Sequence, residues 1–71
     1  MIESDYRGYL VEVIAFEIEG GWDADVRIRD AQSKGLMCAG QLSCRKQTAK
    51  IAEKSGARCA RDWIDRHGRA G

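Results

Sequence analysis

The sequence predicts an α+β domain, a three-stranded antiparallel meander packed against one C-terminal helix (βββα). Two alternating segments joined by a glycine pair, followed by a change of hydrophobic period, carry that expectation. In the segment from Trp22, the apolar residues Trp22, Ala24, Val26 and Ile28 alternate with Asp23, Asp25, Arg27 and Arg29. A period of two is the signature of a half-buried strand. Upstream, Tyr9 to Ile18 is rich in β-branched and aromatic residues, and Glu19-Gly20-Gly21 joins the two segments. Glycine supplies the positive φ that tight hairpin turns need, so a hairpin is expected here. Further on, Ala49, Ala52, Gly56, Ala60, Trp63 and Ile64 recur at intervals of three and four, which places them on one stripe of a helix.

Taken in order, the expected elements form one domain over residues 1–71, with strands at about 8–18, 22–29 and 36–42 and a helix at about 45–66. Asp30 to Gly35 holds turn formers and charge, and Leu36 to Leu42 is a short apolar run suited to a third strand. Either Ser43 or Thr48 can cap the helix start with a side-chain oxygen. His67-Gly68 supplies a cation in the last turn and a stop. The small residues of the stripe let the helix backbone approach the sheet closely, with Trp63 filling the far end. Gly56 costs about 1 kcal/mol of helix propensity against alanine, and close packing is the expected compensation.

Composition narrows the function. With 71 residues, 44% of them hydrophobic, and a net charge of +1, the chain is too apolar for disorder and too short for a deep ligand cleft. Glu12, Glu17 and Glu19 interrupt the most apolar stretch, so no membrane span is expected. The first residues lack the basic and apolar regions of a signal peptide, and a cytoplasmic location is the expectation. Cys38, Cys44 and Cys59 are odd in number and lack the close pairing of a zinc site. They read as reduced thiols, and no metal or cofactor is expected. One histidine, no phosphate-binding glycine loop and no supported nucleophile leave no catalytic constellation. The pairs Asp23/Asp25 and Asp62/Asp65 read as surface carboxylates, and an enzyme is not expected.

Two surfaces remain as candidates. The first expected strand is apolar on both faces. If Val11, Val13 and Ala15 face the helix, then Leu10, Ile14 and Phe16 face away; in the opposite phase Val11 and Val13 lie outside. One helix covers one face, so the surplus apolar surface calls for a cover, and a symmetric homodimer or another protein is the simplest. The second surface is basic. Residues 1–33 carry eight acids against three arginines, a net of −5, whereas residues 34–71 carry nine bases against three acids, a net of +6. Lys46, Lys50, Lys54, Arg58 and Arg61 fall at helical spacing and form a stripe suited to phosphates.

Tyr6-Arg7-Gly8, Trp22 with Asp25-Val26-Arg27, Gly40, and Thr48-Ala49 with Ala52 resemble the plant ethylene-response-factor type of DNA-binding domain over roughly residues 6–66. The resemblance implies a three-stranded sheet on one helix, with the sheet in the DNA major groove. It also implies Arg7, Trp22 and Arg27 as contacts, with Arg29 beside Arg27. The first strand departs from that pattern, carrying two glutamates and no arginine. The Tyr6-to-Tyr9 start, the tryptophan opening an alternating strand and the ending Ala60-Arg61-Asp62-Trp63-Ile64-Asp65 also resemble small uncharacterised bacterial βββα proteins.

The expectation is therefore a non-catalytic interaction module that self-associates through its sheet using Leu10, Ile14 and Phe16. The alternative is a nucleic-acid-binding module using Lys46, Lys50, Lys54 and Arg58 or the sheet residues Arg27 and Arg29.

Overall fold

The computed structural model describes residues 1–68 and contains four strands, one more than the sequence predicts. They are β1 (Ile2–Tyr6), β2 (Tyr9–Ile18), β3 (Gly21–Asp30) and β4 (Leu36–Lys46), followed by helix α1 (Ala49–His67). All neighbours pair antiparallel in the order β1-β2-β3-β4, so β1 and β4 are the edges. The additional strand arises because Arg7 and Gly8 both adopt positive φ, 52° and 87°, the requirement of a type I′ hairpin turn. That turn folds Ile2–Tyr6 back on β2, with Ile2 opposite Val13 and Tyr6 opposite Tyr9.

Two boundaries also move. β4 runs on to Lys46, four residues beyond the expected end, and the helix begins at Ala49 instead of near residue 45. Thr48 is the cap, its hydroxyl accepting a hydrogen bond from the Ile51 N–H at 3.2 Å. Ser43 lies within β4. The cause of the longer strand is a bulge. Trp22 pairs with Lys46 but Ala24 pairs with Leu42, and Arg45 takes a positive φ of 46° in between. The Arg45 N–H donates to Asp23 Oδ1 at 3.0 Å, so the bulged backbone keeps a partner. Asp23, expected at the surface, is only 4% exposed and serves this purpose.

The phase of β2 is settled by burial: Val11 and Val13 are buried beneath the helix. With Tyr9, Ala24, Val26 and Ile28 from the sheet, and Ala52, Ala60 and Ile64 from the helix, they make the core. The helix buries Ala52, Gly56, Ala60 and Ile64, a run at intervals of four that matches the expected stripe. Gly56 is its tightest point. A Cβ there would lie 2.6 Å from Val13 Cγ1 and 3.2 Å from Ala24 Cβ and Val26 Cγ2. Glycine therefore sets how near the helix comes. At the start of β3, Gly21 (φ 155°) leaves room for the Lys46 carbonyl, which would sit 2.7 Å from a Cβ.

These distances decide the outcome of Gly56→Ala. The gain in helix propensity is about 1 kcal/mol, whereas overpacking a well-filled core costs about 1–3 kcal/mol. Val13 is fully buried and β-branched, so it has no easy alternative rotamer. Gly56→Ala is expected to lower the thermal midpoint, and Gly56→Ala with Val13→Ala to lose less than the two single substitutions together. Thermal melts of the native chain, the two single variants and the double check it.

Candidate functional site

The helix packs chiefly on β2 and β3 and reaches β4 less. Three features of β4 then leave an opening at that edge. Gly40 presents no side chain, and the space where its Cβ would be has no atom within 4 Å. Cys38 and Leu42 lean only partly into the core. Across from them stand Cys59, Ala60 and Trp63 of the helix, with Val26 and Ile28 as the floor. The result is an apolar groove of about 130 Å³ between the edge strand and the helix. That is well below the ~300–1,000 Å³ of small-molecule sites. It is close to the ~150 Å³ of an engineered apolar cavity that accepts benzene. One apolar side chain fits it.

The strand beside the groove is unusual for an edge. β4 spans eleven residues and carries no charge from Leu36 to Cys44; Leu36 and Met37 are 53% and 51% exposed. Its outer backbone groups face no further strand. Edge strands ordinarily carry charge, are short or bulge, which prevents pairing with another chain; β4 bulges at both ends but runs regular and uncharged from Cys38 to Leu42. The opposite edge follows that rule: β1 has five residues, with Glu3 and Asp5 exposed. Sequence reasoning missed this contrast. The signal for it was Gly40 within an apolar strand, a position where glycine marks a close approach.

The outer face of the sheet holds Leu10, Ile14 and Phe16 on β2. Ile14 is 39% exposed, and Leu10 and Phe16 are half-buried. They form a single file. Glu12 interrupts it, accepting a 2.8 Å bond from Arg29 Nε, and the register sets Leu10 opposite Arg29, Ile14 opposite Asp25 and Phe16 opposite Asp23. Arg27 is exposed, with Nη2 4.0 Å from Asp25. Trp22, half-buried, lies opposite Glu17 and Lys46.

The basic residues divide between two elements. Lys50, Lys54 and Arg58 lie on successive turns of α1, Lys50 and Lys54 exposed, and among the described residues none of the three makes an ion pair. Lys46, expected on the same stripe, belongs to β4 and is half-buried. Among the described residues no cluster of His, Cys, Asp or Glu could hold a metal ion, and Cys38, Cys44 and Cys59 are free thiols. No helix among them is long and apolar enough to cross a membrane.

One polar constellation joins the first hairpin to the helix. Asp65 accepts hydrogen bonds from Arg7 Nη1 at 2.8 Å and from the Tyr6 hydroxyl at 2.9 Å. The Arg7 bond, then the Tyr6 bond, holds the Asp65 carboxyl below its ordinary range, and the same carboxylate raises Tyr6 and Arg7. Arg7, implicated in DNA contact by resemblance, is thus committed to the helix. Comparison with protein-family models, with curated proteins and with solved structures finds no match.

Folding lowers the Asp65 pKa, so the unfolded chain takes up that proton more readily. The contact contributes its full stabilisation above the ordinary carboxylate range and loses it as pH falls through the lowered value. The triad is exposed, so the contribution is small and weakened by salt. Asp65→Asn is expected to flatten the acid side of the stability–pH profile and to leave its shape near neutrality unchanged. Urea midpoints measured across acid and neutral pH at low salt check this.

Proposed function

We propose that the chain is a non-catalytic protein-interaction module that self-associates through its sheet, with the β4 edge as the docking surface. The observation that carries this reading is the β4 edge, uncharged from Leu36 to Cys44, with an apolar groove beside it. Main-chain hydrogen bonds along an added strand give affinity, and a pocket for an alternate side chain gives specificity. The outer-face row of Leu10, Ile14 and Phe16 is the less favourable surface for this purpose. Charged residues flank it on both neighbouring strands and break its continuity, and interface cores are depleted of charge.

Two variants separate the edge from the face. Gln41 is exposed on β4 and Ala39 stands two residues before it on the same face, so Ala39→Lys/Gln41→Lys places charge on the edge without entering the core. Ile14→Lys puts a cation in the middle of the outer-face row, opposite Asp25. Light scattering is expected to find the native chain at twice its 7.9 kDa mass, the double lysine variant at monomer mass and Ile14→Lys still dimeric. A monomeric native chain at sub-millimolar concentration would overturn self-association. A monomeric Ile14→Lys would instead move the interface to the outer face.

A second reading, nucleic-acid binding, is favoured by the cations Lys50, Lys54 and Arg58 along α1, which make no ion pair among the described residues. Phosphate contact of this kind weakens steeply with salt. Under this reading, Lys50→Glu/Lys54→Glu abolishes low-salt binding to a mixed-sequence DNA duplex. Unaltered affinity in a fluorescence titration would remove the stripe from consideration.

A further inference from the structure

We infer that the occupant of the β4 edge is a second copy of this chain, paired antiparallel about a two-fold axis that passes beside Gln41. This rests on the self-association proposed above and adds the partner's orientation and register. A two-fold axis perpendicular to the sheet leaves each face on its own side. Directly opposed residues share a face, so only registers that set a β4 residue opposite itself are allowed. β4 is regular only from Cys38 to Leu42, with bulges at both ends, and within that segment one observation selects Gln41. Self-pairing there sets Leu42 of each copy opposite Gly40 of the other, on the helix side of the sheet.

Gly40 is the position with open space where a side chain would be. Leu42 is the bulkiest residue among the helix-facing positions Cys38, Gly40 and Leu42. The groove of about 130 Å³ next to Gly40 therefore receives the leucine that the other copy brings to it, twice per dimer. Shifting the axis to Gly40 sets the two side-chain-free positions against each other and leaves both grooves empty. Shifting it to Ala39 offers Gly40 the smaller Cys38. Charge is compatible with the Gln41 register as well, because the regular segment Cys38–Leu42 carries none. Self-pairing of the other edge would bring together two strands that each carry exposed Glu3 and Asp5, and opposed like charges are destabilising.

Site-directed disulfide trapping tests the register. Directly opposed residues of an antiparallel pair have Cα atoms about 4.5–5.5 Å apart, inside the ~4.4–6.8 Å window of a disulfide. Gln41→Cys, mildly oxidised and digested, is expected to give a peptide cross-linked between the two introduced thiols in most of the protein. In the same register two copies of residue 39 are offset by four residues, about 14 Å along the strand, so Ala39→Cys is expected to give no such link. In this register Cys38 of each copy faces the Cys44 region of the other, so both variants are built on a Cys38→Ala/Cys44→Ser/Cys59→Ser background, whose parent is the control. A dimer that links through position 39 and not 41 would overturn the register. A dimer that links through neither would overturn edge pairing while leaving self-association in place. A monomer by light scattering, with no link at position 41, would remove both.

Discussion

The approach of the helix to the sheet at Gly56 governs the rest of the structure. Ala52, Gly56 and Ala60 present almost no side chain to β2 and β3, so Val13, Ala24 and Val26 fill the space up to the helix backbone. A larger residue in that stripe would lift the helix and open the core. A chain of this size buries only about 60% of the surface exposed on unfolding, so it has little else to compensate with. The same closeness fixes where the helix lies. Seated over β2 and β3, a single helix cannot also cover β4, and the uncovered strip becomes the groove at the edge.

The position of β4 depends in turn on two carboxylates at the ends of β3. Asp30 is 7% exposed, and its Oδ1 accepts from the N–H groups of Gln32 and Ser33, forming the turn that delivers the chain to β4. Asp23 receives the Arg45 N–H where β4 bulges before the helix begins. A buried carboxylate without partners would be strongly unfavourable; these two take backbone donors that the irregular segments would otherwise leave unpaired. The bulge is also what turns the chain out of the sheet, so Asp23 links the end of the strand to the start of the helix.

How far this was legible in the sequence follows from which signals are local. The β2–β3 hairpin could be read because alternation and a glycine pair coincide there. The helix stripe could be read because small residues recurring at intervals of three and four suit a closely packed helix and break the alternation of a strand. β1 went unread because Ile2-Glu3-Ser4-Asp5-Tyr6 has little apolar weight of its own. Its turn, Arg7-Gly8, places an arginine where asparagine or aspartate usually signals a hairpin. The end of β4 depends on Asp23, more than twenty residues away in sequence, and no local pattern reports that bond. The same holds for the groove. Leu36 to Leu42 reads as a strand, but that it forms an edge, and that Gly40 opens onto the helix, follows from strand order alone.

The two edges of the sheet show how charge and topology act together. The acidic first half of the sequence and the basic second half do not simply form opposite surfaces. Acids collect on β1 and along the outer face, cations gather on the exposed side of the helix, and β4 lies between them with no charge until Arg45. Charge guards the β1 edge, whereas β4 is guarded only at its ends, by bulges and by Arg45 and Lys46. The uncharged stretch between those ends is an aggregation hazard in a monomer. The proposed two-fold pairing would remove the hazard by consuming the edge, since the merged sheet would then end in β1 on both sides. The acidic β1 edges would limit growth beyond the dimer, and the absence of charge on β4 would permit growth up to it.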